Sequence, residues 1–172
     1  FSVGRGVVAG AAGTAAMSAW YLIERRLLRG RPGEAASLSD GTAVAGLTGS
    51  TGLDFDDSVV PGEIVASILH LPSVTDLQAG ELTETLRWSY GSAFGIAHVF
   101  LRDRLPEPGA SLLFGGALIT MTLTAFPLLG RTPPPWRWPP AVMISAVGSH
   151  AAYVVTAALV DDRLRLNRHQ QT

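Results

Sequence analysis

Two histidines stand inside apolar segments of the sequence, where ionisable side chains are rare. His98 follows a moderately apolar run, residues 90–97, and His150 lies near the middle of a strongly apolar one, residues 140–160. Ionisable groups within membrane-spanning helices are costly and often mark proton paths or ligand sites. Imidazole also titrates near neutral pH. The two histidines are therefore the first candidates for chemistry.

Hydroxyl groups accompany His150 at helical spacing. Ser145, Ser149 and Tyr153 follow one another at intervals of four residues, so they share a face that adjoins the histidine. Glycines at 91 and 95 share a face with His98 and turn it toward the interior of a bundle. We expect the two helices to form a polar intramembrane seam.

Three interpretations of this seam stay open. The favoured one is a packing element, in which neutral imidazoles bond to hydroxyl or carbonyl groups of neighbouring helices. The second is a path for protons or a small solute. The third is a b-type haem held by both histidines, an arrangement disfavoured because the two residues differ in depth by about 6 Å.

The sequence offers no positive evidence for an enzyme. It has no cysteine, which excludes thiolate metal sites and iron–sulfur clusters. It contains no phosphate-binding loop, zinc-protease helix or nucleophile elbow. Asp54, Asp56 and Asp57 lack the calcium-loop spacing and are expected to form a solvated acidic loop. We expect no catalytic residue, no metal and no cofactor, and a net charge of −1 gives no reason to expect nucleic acid.

The elements that would position these residues are long apolar helices. Hydrophobic residues make up 47% of the chain and charged ones only 16%, which indicates a lipid environment. Four segments approach the length needed to cross a bilayer, at about 3–28, 82–104, 109–129 and 140–160. The predicted fold is an all-α integral membrane protein, a single domain over 1–172 built as a four-transmembrane-helix bundle.

The segments between these helices carry two further predictions. A long extramembrane loop, about 30–81, contains a helical pattern from Pro61 to Leu71 that predicts a short interfacial helix. The proline-rich connector after the third segment carries Trp136 and Trp138, which suit the headgroup region as interfacial anchors.

Small residues recur on the first two membrane segments. They let helices approach closely where lipid removes the hydrophobic driving force between them. Packing inside the bundle is favoured over packing onto a separate subunit. The predicted packing positions are Gly6, Gly10 and Gly13 in the first segment and Gly91 and Gly95 in the second.

Several short motifs in order along the chain resemble the YagU-like family of bacterial inner-membrane proteins. They are Glu24-Arg25-Arg26, Trp88-Ser-Tyr-Gly91, Phe114-Gly115, Pro127-Leu-Leu-Gly130, Pro133-Pro-Pro-Trp136 and His150. The resemblance implies a multi-pass protein of the bacterial plasma (inner) membrane, with a link to acid tolerance in some relatives and no established biochemical activity.

These features predict a non-catalytic membrane protein whose partners are the lipid bilayer and other membrane-protein subunits or a second copy of itself. The favoured role is a structural or accessory subunit that packs through its glycine faces. The alternative is a small proton or solute channel or transporter that uses His98 and His150, and a haem-bearing electron-transfer subunit stands third.

Overall fold

The computed structural model describes residues 2–27, 35–48 and 51–169, with side chains described as far as residue 167. Within these ranges the regular elements are helices, and two isolated β-bridges, Ser37 with Ala43 and Gly46 with Ser58, are the only extended pairings. The elements are α1 (Ser2–Leu27), α2 (Val60–Ile68), α3 (Asp76–Arg102), α4 (Gly109–Leu129), a short 3₁₀ turn (Pro135–Arg137) and α5 (Pro140–His169).

Three of the helices, α1, α4 and α5, are long and apolar enough to cross a membrane. This finding is consistent with a membrane protein. The structure does not establish α3 as a fourth span, because α3 is not among the helices that meet this criterion. Its first half carries Asp76, Glu81, Glu84 and Arg87, and the apolar part is confined to the residues that follow.

α3 begins six residues earlier than the predicted start at 82, because the chain supplies a capping box there. The Thr75 hydroxyl accepts a hydrogen bond from Gln78 N–H at 3.3 Å, and the Gln78 side chain accepts one from Thr75 N–H at 3.0 Å. These reciprocal bonds satisfy amide groups that the helix itself leaves unpaired. The helix therefore begins in a polar stretch that hydropathy alone leaves outside the predicted membrane segment.

α5 continues past the predicted end at 160. The helix runs through the adjacent acids Asp161 and Asp162 and extends to His169. Asp161 accepts a hydrogen bond from Arg165 Nε one turn later, at 2.8 Å. Such a pair at i and i+4 supports a helix instead of ending it.

The described residues fall into two compact units. The first consists of Phe1–Trp20, Arg87–Leu118 and Ser149–Thr172. In it the start of α1 packs against the apolar half of α3 so closely that a Cβ atom on Gly10 would lie 2.2 Å from Gly91 O. A Cβ on Gly95 would lie 2.4 Å from the Gly10 Cα atom. The predicted glycine positions of α1 and α3 thus meet within the chain, except that Gly13 lies against Tyr153 of α5.

The second unit consists of Tyr21–Leu86 and Ile119–Gly148 and contains the long first loop. This loop is folded around Phe55, whose ring lies 5.6 Å from that of Phe126 and 4.8 Å from that of Trp138. Ala36, Val44 and other buried apolar residues complete this core. A loop of polar composition is therefore anchored by a few well-placed apolar side chains.

α2 corresponds to the predicted short helix and packs within the second unit. Gly62 lies against the backbone of Ala79 in α3, and Val60 and Ile64 lie beside Gly130 at the end of α4. The last turn of α2, by contrast, exposes apolar side chains. α2 therefore covers the neighbouring helices with one face and leaves an apolar end uncovered.

The two tryptophans of the proline-rich connector have different environments. Trp136 is 83% exposed, as an interfacial anchor requires. Trp138 is buried against Phe55, and its indole N–H donates to Pro133 O at 2.7 Å. The anchor expectation for Trp138 is therefore corrected, since its ring completes the core around Phe55 and is not available to headgroups.

Candidate functional site

His98 is buried in the first unit, between α3 and the start of α4. Its ring stacks on Phe114, with centroids 4.5 Å apart and ring planes 11° from parallel. Its Nε2 atom lies 3.1 Å from Ser111 Oγ. The imidazole thus has one apolar face and one polar contact.

Ser111 connects His98 to the surface. Its hydroxyl donates to Glu107 Oε1 at 2.7 Å, and its backbone N–H donates to Glu107 Oε2 at 3.2 Å. The Glu107 side chain is 36% exposed. His98, Ser111 and Glu107 therefore form an unbroken chain of hydrogen bonds from a buried imidazole to a carboxylate in contact with water, which we call the His98 relay.

Glu107 is kept ionised at the outer end of this relay. Burial raises its pKa, but the hydrogen bonds from Ser111 and Arg102 outweigh that effect and hold the pKa below its usual range. Arg102 reaches Glu107 through its Nε atom. The carboxylate is thus anionic at neutral pH and is oriented by two fixed donors.

The same arginine belongs to a buried ion cluster. Asp161 is fully buried and lies 2.7 Å from Arg102 Nη1, 2.8 Å from Arg165 Nε and 3.2 Å from Arg5 Nε. These four residues, called here the Asp161 cluster, join the start of α1 to the ends of α3 and α5. A buried carboxylate is tolerated only when paired in this way.

Asp103 joins the Asp161 cluster from its exposed side. Arg5 lies 2.9 Å from one carboxylate oxygen and Arg165 lies 2.7 Å from the same atom. Slight burial raises the pKa of Asp103, but the hydrogen bond and the charge of Arg5, followed by the charge of Arg165, lower it overall. Two of the three arginines in the cluster thus also hold a second carboxylate.

The predicted seam residues of α5 in this unit are buried but lie at a different depth from His98. Ser149, His150 and Tyr153 are all buried, and Tyr153 donates to Gly91 O at 2.5 Å. α3 and α5 run in the same direction, and the contact between Arg102 and Asp161 marks the same depth on both helices. Measured from it, His150 lies about 10 Å deeper than His98 at 1.5 Å per residue.

Ser145 belongs to a separate polar cluster in the second unit. Its hydroxyl donates to Glu24 at 2.8 Å. Nearby, Tyr21 donates to Asp54, with its hydroxyl 3.2 Å from both carboxylate oxygens, and Arg25 forms an ion pair with Asp57. The predicted seam is therefore divided between two sets of partners.

The expectation of a solvated acidic loop is wrong for Asp54 and Asp57, which are both buried. Asp54 is held by the Tyr21 hydroxyl and by the Asp57 backbone N–H, which donates at 2.8 Å. Burial, followed by repulsion from Asp56, raises the pKa of Asp54 well above its usual range. The acids thus form part of the folded loop and not a hydrated surface.

Sequence reasoning missed the outer part of the His98 relay and the Asp161 cluster. Glu107 and Ser111 are four residues apart, the spacing of a side-chain pair on one helical turn, and this signal could have drawn attention to them. Asp161 and Arg165 have the same spacing. Nothing in the sequence pairs these elements with Arg102 or Arg5, because those contacts depend on how the helices pack.

Among the residues that the structure describes, no group of three or more histidine, aspartate or glutamate side chains is arranged to hold a metal ion. Comparison with family models, curated proteins and solved structures found no match to this chain. The resemblance to the YagU-like family stays an expectation from the sequence motifs.

Proposed function

We propose that this protein is a small proton-coupled membrane protein, of the channel or transporter class, in which His98 exchanges protons with one aqueous side through Ser111 and Glu107. The observation that supports the proposal is the His98 relay, which connects a buried titratable ring to an exposed carboxylate with contacts of 3.1 Å and 2.7 Å. Proton transfer along hydrogen bonds requires donor–acceptor contacts of this length.

The proposal includes four membrane spans. α3 would be the fourth, crossing the bilayer from about residue 82 to its end at Arg102, with its first residues outside. Its close contact with α1 through Gly10, Gly91 and Gly95 supports this, because small residues at a crossing are typical of helices that associate in lipid. The bacterial plasma membrane is the proposed location.

A proteoliposome experiment tests the proton function. Purified protein is reconstituted with a pH-sensitive dye inside the vesicles, and a pH step is applied outside. We expect His98→Gln to reduce the protein-dependent proton flux to that of protein-free vesicles. Glutamine retains a donor toward Ser111 but cannot titrate. Ser111→Ala, which interrupts the relay and leaves the histidine, should lower the flux at least tenfold.

His70→Gln is the matched control, since His70 is exposed and lies in the segment after α2. It should conduct as the unchanged protein does. Equal flux from His98→Gln and the unchanged protein would exclude His98 as the exchanging group. Unchanged protein that conducts no more than empty vesicles would exclude proton coupling altogether.

An accessory subunit is a second candidate, supported by a different surface from the one expected. The glycine faces contact each other and are not available to a partner. An amphipathic groove of about 610 Å³ instead lies along the first half of α3, lined by Leu47 and Leu77 together with Asp76, Glu81 and Glu84. A basic partner segment would complement it, and loss of a copurifying subunit on Leu77→Ser would support this role.

Haem binding by His98 gains no support, because the Nε2 atom that would bind iron is in contact with the Ser111 hydroxyl.

A further inference from the structure

A second groove, in the second unit, combines an apolar lining with one charge of each sign. It has a volume of about 340 Å³ and lies between α2, the segment that follows α2, and the end of α4. Ile64, Leu71 and Leu129 are among its apolar lining residues, and Glu63 and Arg131 also line it. A site of this composition fits an amphiphile better than a soluble polar ligand.

The groove lies at the level of lipid headgroups if α4 crosses the membrane. α4 has 21 residues and is therefore about 31 Å long, which matches the ~30 Å hydrocarbon core of a bilayer. Leu128 is 80% exposed and Leu129 is 56% exposed at its last turn. Leu129 belongs both to this lipid-accessible end and to the groove, so the two apolar surfaces are continuous.

The groove carries one cationic and one anionic side chain, Arg131 and Glu63. The Arg131 carbonyl oxygen accepts hydrogen bonds from the Ser39 backbone N–H at 3.1 Å and from the Ser39 hydroxyl at 2.8 Å, which hold the backbone in place. Burial and repulsion from Asp76 raise the pKa of Glu63, while the positive charge of Arg131 lowers it. Both side chains thus offer their charges to one groove.

We propose that this groove binds a zwitterionic phospholipid with a primary ammonium headgroup, with an acyl chain along Ile64, Leu71 and Leu129, the phosphate at Arg131 and the ammonium at Glu63. Arginine is a preferred phosphate ligand. A primary ammonium offers three N–H donors to a carboxylate, whereas a quaternary ammonium offers none. The headgroup of an anionic lipid that has no ammonium group would leave the Glu63 carboxylate without such a donor. The inference depends on the proposed membrane insertion of α4, and not on proton exchange.

Native mass spectrometry of the detergent-purified full chain tests the proposal. The protein is incubated with phosphatidylethanolamine, phosphatidylcholine or phosphatidylglycerol of identical acyl chains. We expect retention of phosphatidylethanolamine at about tenfold lower lipid concentration than the other two, the effect of one charge-assisted hydrogen bond. Equal retention of the three lipids, preference for phosphatidylglycerol, or binding of inorganic phosphate alone would overturn it.

Three charge-removing variants assign the contacts. Arg131→Gln should weaken retention of all three phospholipids about tenfold, and Glu63→Gln should remove only the preference for phosphatidylethanolamine. Arg137→Gln is the matched control, since Arg137 is exposed and does not line the groove. An equal effect of Arg131→Gln and Arg137→Gln would overturn the assignment. His98→Gln should retain the lipid, so failure of the proton function and of the lipid site can be distinguished.

Discussion

The charged residues around the end of α3, in the first unit, depend on one another. Arg102 contacts both Glu107 of the His98 relay and Asp161 of the buried cluster. The position of Glu107, and with it the outer end of the relay, therefore depends on how Asp161 holds the arginine. A change at Asp161 should affect both folding and proton exchange.

Asp161→Asn should destabilise the protein by about 3–5 kcal/mol, the cost of breaking a buried ion pair by removing one partner. It leaves Arg5, Arg102 and Arg165 facing a neutral amide. Asp162→Asn is the control, because Asp162 is 52% exposed and should cost less than about 1 kcal/mol. Unfolding in mixed detergent measures both values, and similar costs for the two variants would show that the Asp161 cluster is not a structural centre.

Asp54→Asn should flatten the dependence of stability on pH. The pKa of Asp54 is raised by burial above its ordinary value of 3.8, so the folded protein binds this proton more tightly than the unfolded chain. Stability is therefore lost as pH rises from that value through the folded pKa. Asparagine carries no such proton and accepts the same hydrogen bonds.

We expect the unfolding temperature of the unchanged protein to fall by more than that of the variant as the pH is raised above 3.8, the ordinary pKa of the carboxyl group. Thermal melts in detergent measure this difference. Asp40→Asn is the control, because Asp40 is exposed and burial does not set its pKa. If Asp54→Asn lowers stability equally at every pH, Asp54 is charged in the folded state and the pKa argument fails.

At the residue scale, the sequence located His98 correctly in an interior position but not its partners. Hydropathy and helical spacing predict which residues face inward, since both depend on local sequence. Ser111 lies one short loop away from His98, and its contact depends on the packing of α3 and α4. Ser145 and Ser149 share one predicted face, yet Ser145 contacts Glu24, because partners change along the length of a helix.

At the scale of helices, hydropathy predicted the bounds of α4 and missed those of α3 and α5. α4 has no charged residue and is mostly apolar, so hydropathy is enough to predict its bounds. α3 begins at a capping box formed by Thr75 and Gln78, and α5 continues through an ion pair between Asp161 and Arg165. These polar interactions extend helices beyond the apolar segments that a membrane requires.

Gly10→Ala should separate α1 from α3 and cost about 1–3 kcal/mol, as overpacking of a tight contact does. The added methyl group would lie 2.2 Å from Gly91 O, a backbone atom that cannot rotate away. Gly116→Ala is the matched control, because nothing lies within 4 Å of a Cβ there. Detergent unfolding of both variants is the measurement, and equal stability would contradict the observed crossing.

At the scale of the whole molecule, composition predicted a helical membrane protein, and the structure has three helices that could span a membrane. The folded state of the first loop was not predictable in the same way. Its core depends on Phe55 contacting Phe126 and Trp138, which lie more than seventy residues later in the chain. Contacts between such distant positions leave no periodic signal in one sequence.

The four-span proposal predicts which loops face the same side of the membrane. The sequence lacks cysteine, so single cysteines can be introduced at Asp40, Arg104 and Arg137 without background. If all four long helices cross, an impermeant maleimide applied to oriented vesicles should label positions 40 and 137 from one side and position 104 from the other. Labelling of positions 40 and 104 from the same side would exclude α3 as a span.

In the proposed proton exchange, the direction of the Ser111 hydrogen bond determines the order in which His98 gains and loses protons. Because the Ser111 hydroxyl gives its hydrogen to Glu107, it accepts from His98, and the resting imidazole is the Nε2–H tautomer. An incoming proton must therefore bind at Nδ1, and departure occurs from Nε2 toward Glu107. After one transfer the ring carries its hydrogen on the wrong nitrogen. In the proposed proton exchange, a second transfer in the same direction must therefore wait until the ring and the hydroxyl have reoriented.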